Sequence, residues 1–140
     1  MEDWKIKISA LWLFTAVAFV AHGVLEILEP NAIAQITAGE MGGLEITPEM
    51  LLLLAILTLV PLIMAFLTLT LKDSINRWTN IIVGAVFAVL WCVDIVDAVE
   101  KLSAWGIIMT LSAVVALALI IWYAWKSKQQ AQVLPTKRGI

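Results

Sequence analysis

Two pairs of ionisable residues interrupt otherwise apolar runs: His22 and Glu26 in "AHGVLEILEP", and Asp94 and Asp97 in "WCVDIVDAVE". Spacings of i,i+4 and i,i+3 put each pair on one face of a helix. An Asp at the centre of a membrane-spanning helix costs about 2.5 to 3.5 kcal/mol on insertion scales, and less toward the interface. Three carboxylates brought together cannot all stay ionised without a positive charge, so the group either holds protons or binds a cation. His22 beside a carboxylate could carry a proton as imidazolium. Trp91, one turn from Asp94, could offer a cation its π face. A metal could use one imidazole and several carboxylates, but HxxxE and DxxD complete no metal motif; no metal and no other cofactor is assigned. No nucleophile elbow, phosphate loop or zinc-protease pattern occurs, and no catalytic residue is assigned. The alternative for His22 is an interhelical hydrogen bond worth about 1 kcal/mol. For Asp97, Glu26 and Glu100 the alternative is the wet end of a helix.

These residues need helices to position them. The chain is 62% hydrophobic with a mean hydropathy of +0.98, more apolar surface than a domain of this length can bury, so the surplus faces lipid. Four runs are long enough to cross a bilayer, at about 8–28, 50–71, 79–99 and 105–125, given that a crossing takes roughly 20 apolar helical residues. Period-two alternation is absent, which excludes barrel strands. The expectation is an all-α bundle of four transmembrane helices in one domain, 1–125, followed by a polar basic tail, 126–140. The first run continues through the "AVA" at Ala16 to Ala18, and is read as a retained span and not a cleaved signal. Short connections, "KDSINR" and "EKLSA", make successive helices antiparallel. With a rise of ~1.5 Å per residue, His22 and Glu26 lie ~6 and ~12 Å outward from the middle of the first span. Asp94 and Asp97 lie ~8 and ~12 Å outward from the middle of the third, which runs the same way. The two pairs fall at matching depths.

Lys5, Lys7, Lys72, Arg77, Lys126, Lys128, Lys137 and Arg138 fall on one side of these spans, and only Lys101 on the other. That asymmetry predicts a multi-pass protein of the cell membrane with both termini cytoplasmic. The first loop carries Glu29, Glu40, Glu45 and Glu49 without Lys or Arg; it faces outward, with "GEMGG" as a turn. Trp4, Trp78, Trp122, Tyr123 and Trp125 suit a cytoplasmic aromatic belt and Trp105 the outer surface, whereas Trp91 suits neither and points to the bundle interior. Asn76, Arg77 and Asn80 read as helix caps and head-group contacts. Gly84 with Ala88, and Ser112 with Ala116, permit close helix packing. Cys92, alone in an apolar run, has no disulfide or metal companion. Basic residues cluster at span ends and not on one polar face, so no nucleic-acid partner is expected.

The stretch from Thr47 to Phe87, with "INRWTNII" inside it, together with "EILEP" and "IIWYAW", resembles an uncharacterised prokaryotic family of small four-span membrane proteins classified as a domain of unknown function. The resemblance covers most of the chain and implies a four-helix membrane domain without an assigned activity. Members of that family carry Tyr and Asp around the positions of His22 and Gly23, so the resemblance carries over Glu26 and not His22. A broader similarity to DoxX-like proteins is one of architecture alone.

Three functions follow. The leading one is a binding or transport module whose extracytoplasmic-facing pocket of His22, Glu26, Asp94, Asp97 and Trp91 takes a cation, a proton or a small cationic solute. The second is a structural or accessory subunit, including a homo-oligomer, whose polar residues satisfy partner helices. The third is a membrane enzyme acting on a lipid-like substrate, which requires an apolar cavity reaching the acids from the lipid side.

Overall fold

The computed structural model describes residues 3–133, with side chains as far as Ser127. Four long helices follow the apolar runs: α1 (Asp3–Ile27), α3 (Pro48–Thr70), α4 (Asp73–Glu100) and α5 (Ala104–Val133). Each is long and apolar enough to cross a membrane, and the architecture is the expected all-α bundle. Helix ends reach beyond the apolar runs, because a backbone hydrogen-bond ladder does not stop at the first polar side chain. Thus "KDSINR" is not a loop: α4 begins at Asp73, and only Leu71 and Lys72 join it to α3. Lys72 supplies no side-chain cap. Asp73 sits at the positive end of the helix dipole and pairs with Lys5 of α1 at 2.7 Å. At the next junction Leu102 turns the chain with a left-handed φ of 51°, and the Ser103 hydroxyl accepts the Gly106 amide at 3.2 Å to cap α5. Since α5 runs to Val133, the segment expected as a tail begins as helix. Lys137, Arg138 and the rest of 134–140 lie outside the described residues, as does the Lys128 side chain.

The loop after α1 holds a short helix, α2 (Ala32–Thr37), and a hairpin of β1 (Glu40–Met41) and β2 (Leu44–Glu45). Its turn is the "GEMGG" segment: Gly42 and Gly43 have φ of 58° and 79°, the consecutive left-handed pair that suits the twist of a two-residue hairpin. This loop covers one end of the bundle, hereafter the capped end, where a cavity of about 190 Å³ lies between Glu26, Gln35, Met41 and Lys101. Both described chain ends lie at the opposite, termini end, where Lys5 meets Asp73 and the Lys7 ammonium stands 5.5 Å from the Tyr123 ring.

Around the bundle, α1 packs along α3 and α5, and α4 along α5, while α3 barely touches α4 and the backbones of α1 and α4 are not neighbours. Helices α1 and α4 therefore face each other across the diagonal, and only large side chains span the gap. Trp12 of α1 is fully buried and stands edge-on to Phe87 of α4, with ring centres 6.0 Å apart. Beneath it Asn76 and Asn80, fully buried, correct their reading as caps and head-group ligands. The Trp12 indole N–H donates to Asn80 Oδ1 at 2.6 Å, and the Thr68 hydroxyl donates to the same oxygen at 3.2 Å. Asn80 Nδ2 donates to Asn76 Oδ1 at 2.6 Å and to the Asn76 carbonyl at 2.8 Å. Asn76 Nδ2 donates across to the Thr68 carbonyl at 2.7 Å. Carboxamides survive burial in a bilayer only when partnered in this way. A second link, from the Ser9 hydroxyl to the Ala65 carbonyl at 2.8 Å, joins α1 to α3.

The buried residues of α3, Pro61, Met64, Ala65 and Thr68, all belong to its second half. Its first half stands off from α4. Pro61 also leaves the Leu57 carbonyl without its helical donor. Of the expected belt, Trp78, Trp122 and Trp125 are uncovered, but Trp4 is buried in the core.

Close packing is realised between α4 and α5, where a Cβ on Gly84 would stand 3.1 Å from Ile121 Cγ1. Ser112 bonds instead to the Ile108 carbonyl of its own helix. Gly84→Leu is expected to lower stability by about 1 to 3 kcal/mol through overpacking of this seam, read as a lower unfolding midpoint in detergent. Gly84→Ala should cost far less, because the Ile121 side chain can move by a few tenths of an ångström.

Candidate functional site

At the capped end the parallel courses of α1 and α4 bring His22 and Asp94 together, with imidazole Nε2 3.2 Å from Asp94 Oδ2. Thr110 of α5 donates its hydroxyl to the same carboxylate oxygen at 2.9 Å. His22 lies between two indoles: Trp91 meets it edge-on at 5.5 Å, and Trp105 is tilted against it at 5.2 Å. Trp91 is buried, as an interior position requires, and is braced by the edge of Phe19 at 6.3 Å. Trp105, expected at the surface, is partly buried and donates its indole N–H to Glu29 Oε1 at 2.9 Å. Asp94 Oδ1 and His22 Nδ1 make no hydrogen bond among the described residues, so one acceptor and one ring nitrogen stay open.

The other two expected residues stand at the rim. Glu26 is half-buried and lines, with His22, Asp94 and Asp97, a small cavity of about 30 Å³ above the pair. Asp97 is exposed and pairs with Lys101 at 2.8 Å. Three residues turn a helix only ~300°, and the missing ~60° swings Asp97 away from Asp94 toward solvent. The Asp97 carboxylate holds the Lys101 ammonium above the usual lysine range, but such an exposed i,i+4 pair is worth only about 0.3 to 0.5 kcal/mol. Glu29 joins Glu26, Asp94 and Asp97 around this cavity, with Lys101 the one Lys or Arg that lines it. The excess of carboxylates raises the local concentration of cations. Among the described residues no three His, Cys, Asp or Glu side chains are placed to hold a metal ion.

Three participants escaped the sequence reading: Trp105, Glu29 and Thr110. A signal for Thr110 existed. Asp94 lies seven residues before Lys101 and Thr110 seven residues after Ser103, so an antiparallel hairpin closed by 101–103 sets them at one depth.

Below the pair a second cavity of about 230 Å³ opens where α3 stands off from α4. Its walls are Phe19, Leu57, Phe87, Leu90 and Trp91, and His22 and Asp94 are its only ionisable lining. The space exceeds the ~150 Å³ that suffices for an apolar cavity to hold benzene.

Comparison with known proteins returns one family model, described as a family of unknown function (DUF6326), which matches residues 1–132. No curated protein and no solved structure matches the chain.

Proposed function

The chain belongs to the DUF6326 family of unknown function, and we propose that it is a membrane-embedded binding or transport module holding one positive charge at His22 and Asp94. That charge is a proton, a cation or a small cationic solute, with Glu26 and Asp97 at the rim and Trp91 beside it. The carrying observation is a carboxylate within the apolar bundle that keeps one oxygen open while its other oxygen engages His22 and Thr110. A proton on the imidazole and an external cation both balance the Asp94 charge, so each lowers the affinity for the other. The one-sided distribution of Lys and Arg favours placing the termini in the cytoplasm and the capped end outside. A second reading, an enzyme acting on a lipid-like substrate, is favoured by the cleft that joins the lipid side to the same pair.

His22 is the single histidine of the chain, so the imidazole ¹⁵N signal, from the two nitrogens of one ring, reports on the site without residue assignment. In lipid nanodiscs this signal should titrate with pH. Saturating methylammonium at fixed pH should move it toward the neutral form. An imidazole that responds to neither would sink the proposal.

A further inference from the structure

We infer that the positively charged group held at Asp94 is the ammonium head of a single-chain alkyl amphiphile, whose chain enters from the bilayer through the cleft between α3 and α4. This rests on the reading of His22 and Asp94 as a cation site, and adds the ligand class and the route.

Three observations converge on that class. The cleft is polar at one end only: His22 and Asp94 stand toward the capped end, and Phe87 lies seven residues deeper along α4, about 10 Å at a helical rise. An amphiphile of the adjoining leaflet has the same gradient, head outward and chain toward the membrane centre. The cleft also reaches lipid, because Leu90 on its edge is 45% uncovered and the first half of α3 contributes no buried residue. Finally, the head must be positive. The open Oδ1 of Asp94 is an acceptor, Trp91 flanks it, and carboxylates outnumber the single lysine at the rim. By proportion to the cavity that holds benzene, the cleft takes about nine carbons, and its lateral opening lets a longer chain continue into lipid.

The test is photolabelling in phosphatidylcholine nanodiscs with octylamine carrying a mid-chain diazirine, and peptide mapping of the adducts. Label is expected on the segments holding Leu57 and Leu90. Octylamine should displace it, and octanol should be at least about tenfold weaker, since a charge-assisted hydrogen bond exceeds a neutral one by roughly that factor. Leu57→Trp, which fills the cleft, should abolish labelling while the His22 imidazole still responds to methylammonium.

Octanol competing as well as octylamine, wild-type labelling of Leu57→Trp, or label scattered over lipid-facing positions would each overturn the inference and leave the cation site standing. An imidazole that titrates with pH but is silent to methylammonium would overturn the inference and leave the proton reading, and one silent to both would remove both. The competition arm uses the natural chain, so it remains decisive even where Leu57→Trp does not fold.

Discussion

In Asp94→Asn protein the response of the His22 imidazole to methylammonium is expected to weaken at least about tenfold, while the unfolding midpoint stays close to that of the natural chain. A carboxamide has the shape of the carboxylate, and its oxygen still accepts from Thr110 and His22, which bond to one carboxylate oxygen at 2.9 and 3.2 Å. What disappears is the charge. A hydrogen bond to a charged group contributes about 1.5 to 3 kcal/mol against about 0.5 to 1.5 for a neutral one, and ~1.4 kcal/mol is a factor of ten in affinity. The amide N–H₂, placed where the open oxygen was, would also face the ligand with the wrong sign. Asp73→Asn is the matched control, because it removes an acid at the termini end whose partner is Lys5. A response of natural strength in Asp94→Asn would make Asp94 scaffold.

The largest effect on stability is expected from Asn80→Leu, a loss of about 3 to 5 kcal/mol read by thermal or denaturant unfolding in detergent. The leucine removes the acceptor of the fully buried Trp12 indole and the donor that satisfies Asn76 Oδ1. Thr68 retains its bond to the Met64 carbonyl at 2.7 Å and loses less. Each orphaned buried group costs about 1 to 3 kcal/mol, because lipid offers no substitute partner. Trp12→Phe deletes the indole donor and should rescue part of the loss. The double variant is then less destabilised than the sum of the two, with a coupling of about 0.5 to 3 kcal/mol. Simple additivity would show that the two side chains act independently.

The existence and order of the helices were legible because an apolar run long enough to cross a bilayer has few other uses. Depth was legible too: a constant rise per residue set His22 and Asp94 at one level, and they stand 3.2 Å apart. The face of each helix was not legible. In a soluble bundle the polar side marks the outside, but here the lipid side is as apolar as the core, so nothing in "INRWTNII" distinguishes an inward Asn80 from an outward Trp78. Their burial is opposite, Asn80 fully covered and Trp78 48% uncovered. For the same reason the i,i+3 spacing of Asp94 and Asp97 promised a shared face but could not tell which of the two would look inward. Trp105 looked like an interfacial anchor because its contacts, His22 and Glu29, lie on and just beyond a helix more than 70 residues earlier.

The diagonal pair has a mechanical meaning. Helices α1 and α4 are fastened at three levels, by Lys5 with Asp73, Trp12 with Asn80, and His22 with Asp94. The second half of α3 is bolted on through Ala65 and Thr68. Its first half has no side-chain hydrogen bond to another helix among the described residues, and Pro61 weakens the ladder where that half ends. Helix α3 is therefore tied to the bundle by side-chain hydrogen bonds on one side of Pro61, whereas its first half is held by the packing of residues such as Leu57 and Val60 against the core. Widening the gap would break none of those polar links and would loosen only apolar packing, which the chain of a bound amphiphile can replace.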